Sequence, residues 1–371
     1  MIPPHSQWCH QICVTSACWP KPACSNCTRL LGHETKRYFM SPEQFEEVLK
    51  VAVPFIKYSP ADIGMKVNRN NPRASQRKKV LGIFGGEPLM HPQFPELVDL
   101  MVKYVPLGNR GLWTSLDWIN GESKKWGKYK DQVERLLGPT PTGDVVSLET
   151  GYLNWNMHEE EQACEHSPVL AAANDLIPDE QRRWDTIAKC WVQTEWSAAY
   201  ALDFNEDVKF YFCEVASAFD RVFNLGTGMP LEDGVWSHHL WFERDDKGIM
   251  RPHGPYAKQI LSTCGRCGSS LKLPGRRDRE FTDDISVSNL VPLTVLGSPM
   301  VRKGQFNEIK SADYKQVEDI TKSETPWEYQ KDKRVTQINN FKQAVGHADW
   351  LRPFEENRAE TKRIPNEEES G

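Results

Sequence analysis

The strongest constraint on the fold is an alternation. Short apolar runs of strand length are separated by stretches whose apolar residues recur at helical spacing. Residues 11–16 (QICVTS) read as a first strand. Ser41, Pro42 and Gln44 then carry a helix-start signature, with Ser41 as N-cap, Pro42 at the first helical position and Gln44 reaching back to complete a capping box. Phe45, Val48, Leu49 and Ala52 follow on one helical face. A second strand at 80–84 (VLGIF) ends in Gly85-Gly86-Glu87-Pro88 and precedes a helix over 95–104. Residues 111–116 and 145–150 read as the third and fourth strands. A helix ending within 184–190 leads into a β-rich segment at 191–202, then a short strand at 209–212 and a helix over 214–223. Strands alternating with helices favour an α/β fold with a parallel sheet or barrel, with functional residues beyond the C-terminal strand ends.

A chain of 371 residues buries a large core, either as one domain with additions or as two. Its 39% hydrophobic and 26% charged residues are those of a folded protein. A net charge of -5, from 46 basic and 51 acidic residues, gives no general reason to expect a polyanion-binding surface. The basic run at 66–79 reads as an excursion before a core strand. No stretch is apolar enough to span a bilayer, and residues 1–9 lack the apolar core of a signal peptide, so the expectation is a cytoplasmic protein without a membrane partner. In a reducing compartment, closely spaced cysteines read as metal ligands or redox groups before disulfides.

Cys18, Cys24 and Cys27 lie within CWPKPACSNC, spaced Cys18-x5-Cys24-x2-Cys27. A loop can turn three thiolates toward one centre where a strand would alternate them. Pro20 and Pro22 restrict the intervening backbone, and Ser25 and Asn26 suit a tight turn. Three such ligands would leave one iron of a [4Fe-4S] cube open to a substrate or cofactor. Equally, they would close a zinc site with His33, and Cys9 and Cys13 are further candidates. Spacing alone leaves both metals open.

The cysteine loop with its continuation to His33 (CSNCTRLLGH), followed by Gly85-Gly86-Glu87-Pro88-Leu89, resembles the radical S-adenosylmethionine (SAM) superfamily. The likeness spans roughly residues 11–202, in an atypical branch whose first cysteine gap is five residues instead of three. It implies a partial (βα)6 radical SAM barrel over 1–205 and a C-terminal part of the core with an auxiliary metal site over 206–303, while the strongly polar sequence after residue 304 reads as an irregular extension over 304–371 that wraps the core or is partly flexible. It further implies that Cys18, Cys24 and Cys27 bind a [4Fe-4S] cluster whose open iron takes SAM. One-electron reduction then cleaves SAM to a 5'-deoxyadenosyl radical that abstracts hydrogen from substrate. An external reductant such as flavodoxin or ferredoxin is the implied partner. Glu87 is the match for the residue holding the SAM ammonium, on a loop with Gly85, Gly86 and Pro88. Phe39 and Met40 match the segment approaching the adenine; Thr114, Ser115 and Ser147 are candidates for ribose or carboxylate contacts, and Glu149 for substrate. His91, His158 and His166 read as hydrogen-bonding or surface histidines.

Cys264-Gly265-Arg266-Cys267-Gly268 is a compact knuckle, and Cys213 opens a helix that brings it toward the same centre. These three are the auxiliary metal candidates, for a second [4Fe-4S] cluster or zinc. Cys164, Cys190, His238 and His239 compete for the fourth place. Arg276 and Arg277 suit a bidentate clamp on a carboxylate or phosphate, and residues 283–286 (DDIS) read as closing over a polar substrate. Most of the tryptophans at 113, 118, 155, 184, 191, 196 and 236 read as packing residues. The combined expectation is an oxidoreductase or isomerase acting on a polar small molecule, a peptide or a nucleobase. A zinc-stabilised nucleic-acid-binding protein is the alternative from another class.

Overall fold

The computed structural model describes residues 7–18, 24–56, 79–114, 129–138, 151–155, 167–190, 192–193, 197–235, 242–271, 273 and 282–310. Their central feature is a sheet in the order β4-β3-β2-β1-β5-β6, built from β1 (Cys9–Thr15), β2 (Val80–Gly85), β3 (Arg110–Thr114), β4 (Tyr152–Trp155), β5 (Ser197–Leu202) and β6 (Val208–Tyr211). The first five run parallel, while β6 is an antiparallel edge. Only residues 203–207 join β5 to β6, too few for the crossover a parallel neighbour needs. β1 is buried along its whole length, as the middle strand of a parallel sheet covered on both faces should be.

The described strands make this sheet and no barrel. Consecutive strands adjoin from β1 to β4, as in a (βα)6 barrel, but β5 pairs with β1 on its other side. The α/β class expected from the alternation therefore holds. The fourth strand is at 152–155, downstream of the expected 145–150, which lie outside the described residues.

Among the described helices are α1 (Pro42–Ile56), α2 (Phe94–Tyr104), α3 (Lys130–Leu137), α4 (Ala173–Leu176), α5 (Glu180–Ala188), α6 (Glu214–Phe223), α7 (Leu231–Val235), α8 (Ala257–Thr263), α9 (Val287–Val295) and α10 (Pro299–Arg302). The capping box forms as expected. The Ser41 amide donates to Gln44 Oε1 at 3.0 Å, and the Gln44 amide to Ser41 Oγ at 3.2 Å. Phe45, Val48, Leu49, Ala52 and Phe55 on that helix are fully buried, each large side chain contributing about 1.5–3 kcal/mol. Phe55 stacks on His10 of β1 with ring centroids 3.6 Å apart, so the even-numbered side of β1 faces α1.

On the opposite face, Gly82 and Gly111 are paired in register, and a Cβ on either would overlap the Trp113 ring, at 2.3 and 2.8 Å. Trp113 thus lies across a glycine pair, packed against Phe84 and Tyr152, and its role is structural. Beyond the main sheet, β7 (Phe242–Arg244) pairs antiparallel with β8 (Met250–Pro252), and β9 (Asp283–Ser286) pairs parallel with β10 (Phe306–Ile309). The region expected to be an extension after residue 304 therefore begins with a strand of the fold. No helix among the described residues is long and apolar enough to cross a membrane.

Replacing Ser41 by alanine removes one half of the capping box. The expected outcome is a loss of about 0.5–2 kcal/mol, read from the midpoint of urea unfolding with an unchanged m-value.

Candidate functional site

Three parallel strands end at one edge of the sheet, with Cys18, Glu87 and Thr114 at or just beyond the ends of β1, β2 and β3. The continuation of β1, Ser16-Ala17-Cys18, crosses the end of β2. The Gly86 amide donates to the Thr15 carbonyl and the Glu87 amide to the Ala17 carbonyl, both at 2.7 Å. Gly85 has φ 143°, and a Cβ there would stand 2.4 Å from the Thr15 carbonyl oxygen; at Gly86 it would stand 2.2 Å from that of Ala17. Both positions therefore require glycine. The close backbone approach expected of these glycines is made by the exit of β1, which carries Cys18 one residue past the carbonyl that Glu87 holds.

Glu87 is fully buried. Its Oε1 accepts from Thr114 Oγ1 at 2.8 Å and from the Leu89 amide at 3.1 Å, which fixes the carboxylate plane and caps the short turn Pro88–Met90. Thr114, at the end of β3, is thus brought to Glu87. Ser115, Ser147 and Glu149 lie outside the described residues.

Phe39 and Met40 part company. The Met40 amide donates to the Val14 carbonyl at 2.8 Å, and its side chain is buried in the core. Phe39 is 45% exposed and meets His91 edge-on, with ring centroids 5.4 Å apart. His91 ties this segment to Gln93, bonding each through one ring nitrogen. Nδ1 accepts from the Gln93 amide at 3.1 Å, so Nε2–H donates to the Met40 carbonyl at 2.9 Å. Burial lowers the His91 pKa.

Cys18, Cys24 and Cys27 are half-buried, and residues 19–23 between them are outside the described set. The loop after Cys24 is a succession of tight turns, with Leu30 N–H donating to Cys27 O and His33 N–H to Leu30 O, both at 2.9 Å. Asn26 and Leu30 take positive φ of 55° and 53°, a conformation that asparagine tolerates and leucine does not favour. Such a loop holds only when its surroundings over-determine it.

The start of β9 supplies that bracing. The Asn26 amide donates to Asp283 Oδ1, Asn26 Nδ2 donates to Asp284 Oδ2 at 3.2 Å, and the Asp284 amide donates to Asn26 Oδ1 at 2.8 Å. The Thr282 amide adds a bond to Ser25 Oγ at 3.1 Å. Asp283 Oδ2 lies 2.8 Å from His33 Nε2, and His33 Nδ1 lies 2.7 Å from Ser298 Oγ.

Two expectations are corrected here. His33 has both ring nitrogens engaged within the protein and is not available to complete a zinc site. Asp283, Asp284 and Ser286 do not close over a substrate. The two aspartates clasp the cysteine loop, while Ser286 Oγ accepts from the Ala172 amide at 2.9 Å. Sequence reasoning missed the clasp because its halves lie about 250 residues apart, Asn26 to Asp284 spanning 258 positions.

On its other side the loop is tied by Arg29, whose buried guanidinium donates to the Glu214 carbonyl and to Ser217 Oγ, each at 2.6 Å. Cys9 and Cys13 are buried within β1. Burial pushes the Cys13 thiol up to about 11. Cys213, Cys264 and Cys267 share one buried region with Cys190. Among the described residues no group of three or more His, Cys, Asp or Glu side chains is placed so that it could hold a metal ion. Arg276 and Arg277 lie outside the described residues, as do Cys164, His158, His166, His238 and His239.

Two variants test this geometry. Gly86→Ala drives a Cβ into the Ala17 carbonyl and is expected to cost about 1–3 kcal/mol in urea unfolding. His91, whose folded pKa is lowered from 6.5, stays neutral in the folded chain while the unfolded chain takes up its proton. Its contribution is therefore complete above pH 6.5 and declines as pH falls below it. The stability gap between the wild type and His91→Gln should narrow over that range, and a pH-independent gap refutes the assignment.

In comparisons with known proteins, no family model matches the chain and no curated protein matches it.

Proposed function

We propose that the chain is a radical SAM enzyme, an oxidoreductase or isomerase acting on a polar small molecule, a peptide or a nucleobase. The observation that carries the reading is the crossing of the β1 exit over Gly85-Gly86-Glu87. It puts the first cysteine of the motif and the candidate SAM-ammonium carboxylate on hydrogen-bonded neighbouring segments at the C-terminal edge of a parallel sheet.

The donor chemistry of these residue types supports the two groups that the reading requires, three thiols for the cluster and a carboxylate for the SAM ammonium. Cys18, Cys24 and Cys27 sit on one half-buried loop that includes no competing histidine ligand, since His33 is engaged with Asp283 and Ser298. Glu87 would take the SAM ammonium, and the exposed Phe39 would flank the adenine. Bound together and reduced by one electron from a flavodoxin- or ferredoxin-like partner, the cluster and SAM supply a carbon radical able to remove a substrate hydrogen. The chain's own residues do the positioning. Thr114 and the Leu89 amide orient the Glu87 carboxylate, His91 holds the Phe39–Met40 backbone, and Asp283, Asp284 and Arg29 keep the cysteine loop in its turn conformation. The partial (βα)6 barrel enters this proposal only through the arc from β1 to β4, whose order is that of the first four strands of such a barrel.

Anaerobically purified protein should be brown, with about four irons in the Cys18 loop site. With SAM and a reductant it should release 5'-deoxyadenosine, and Cys18→Ala, Cys24→Ala or Cys27→Ala should abolish that release. Glu87→Gln should weaken SAM binding by about tenfold or more while keeping the iron, as loss of one buried charged contact requires. Asp284→Ala should lower iron retention without touching a ligand. Reconstituted protein that holds no iron at the Cys18 loop and cleaves no SAM overturns the proposal.

A further inference from the structure

Arg29 carries a buried charge that the protein itself does not pair. It stands two residues past Cys27, is only 3% exposed, and its side chain reaches both α6 and the end of β2. A guanidinium removed from water is costly unless an anion pairs with it. Among the described residues no carboxylate comes within ion-pair distance of Arg29. Glu34 turns to Arg221, whose Nε lies 3.5 Å from its Oε2, and Glu214 meets Arg29 through its main-chain carbonyl. Cys13 and Tyr38 also face Arg29. Burial pushes the Cys13 thiol up to about 11 and the Tyr38 phenol still higher, so both stay neutral at ordinary pH and supply no negative charge.

The guanidinium is nevertheless held in one orientation. Nη1 makes both of its hydrogen bonds, to the Glu214 carbonyl and to Ser217 Oγ, each at 2.6 Å. The Phe84 ring lies beside it, its centroid 5.8 Å from Cζ. Nε makes no hydrogen bond, and neither does Nη2. These two atoms form one edge of the guanidinium, whose parallel N–H bonds match the two oxygens of a carboxylate. Because the group is planar, anchoring Nη1 also sets the direction of that edge.

Charge and surroundings narrow the ligand. A single unpaired cation is matched by a single negative charge, that of a carboxylate, whereas a phosphate monoester brings nearly two at neutral pH. The adjoining surface is aromatic. Phe84 is half-buried and meets Trp113 edge-on at 6.2 Å, and Trp113 packs on Tyr152 at 5.4 Å, in a cluster apart from the main core. An acid held at Arg29 therefore has apolar surface beside it for its carbon skeleton. Phe84 directly precedes Gly85-Gly86-Glu87, so this position shares the end of β2 with the proposed SAM site.

We propose that the Nε–Nη2 edge of Arg29 binds the carboxylate of the substrate, an organic acid whose carbon skeleton rests on Phe84. Naming that acid the substrate rests on the radical SAM reading; the carboxylate site itself does not.

The probe is sodium benzoate, titrated by calorimetry into the full-length protein with chloride holding the ionic strength constant. The wild type should bind it saturably, and its urea midpoint should rise with benzoate concentration. Arg29→Met should weaken benzoate binding about tenfold or more, as loss of a charged bidentate contact requires. In that variant the Glu214 carbonyl keeps its bond from Ser217 Oγ, 2.7 Å long in the wild type, so the fold should survive. Should Arg29→Met fail to fold, Arg29→Lys keeps the charge but not the two-pronged edge, and it should still weaken benzoate several-fold. Absence of saturable binding, or equal affinity in wild type and variant, overturns the proposal. Tighter Arg29-dependent binding of inorganic phosphate than of benzoate overturns it too. Saturating SAM should leave the benzoate affinity unchanged; displacement of benzoate by SAM gives the edge to the SAM carboxylate and overturns the substrate assignment. If the wild type neither binds nor cleaves SAM, the radical SAM reading falls and the substrate assignment with it, while the benzoate titrations still decide the carboxylate site.

Discussion

Everything at the candidate site hangs from two backbone hydrogen bonds, Gly86 to Thr15 and Glu87 to Ala17. They let β1 leave the sheet across the end of β2 instead of diverging from it. A side chain at position 85 or 86 would occupy the space of the crossing chain, so two glycines convert an ordinary strand exit into a junction of two loops. The junction brings the cysteine-bearing segment to a buried carboxylate, and β3 delivers Thr114 to hold that carboxylate in plane.

A second constraint acts on the cysteine loop itself. With Asn26 and Leu30 in the left-handed region, its conformation is not one the loop would keep in isolation. Charge-assisted bonds from Asp283 and Asp284 and the buried Arg29 hold it from two sides. These braces run onward to the second group of cysteines. Arg29 grips the carbonyl of Glu214, the neighbour of Cys213, and the segment beginning with Asp283 continues into Asn289, which grips the Cys264–Cys267 turn. One set of buried polar contacts therefore spans both thiol-rich regions.

Local patterns were legible wherever the physics is local. The Ser41 capping box, the buried stripe of α1 and the helix from Glu214 to Phe223 follow from spacing alone, because a helix closes its hydrogen bonds within four residues. The position of β5 beside β1, the edge role of β6 and the clasp between Asn26 and Asp284 were not legible, since each pairs residues far apart in sequence. His33 and Met40 show the same limit at the scale of a residue. His33 suited a zinc ligand by identity, and Asp283 and Ser298 engage both its ring nitrogens, while the Met40 side chain lies in the apolar core.

The sequence by itself determined the α/β alternation, the three-cysteine loop ahead of a Gly-Gly-Glu-Pro turn, and the CxxC knuckle, because these depend on neighbours along the chain. Only the tertiary structure decided which distant groups complete them. It brought Thr114 to Glu87, and Asp283 and Asp284 to the cysteine loop. The reason is that a buried polar atom must find its partner wherever the packed core delivers one, and sequence separation puts no bound on that distance.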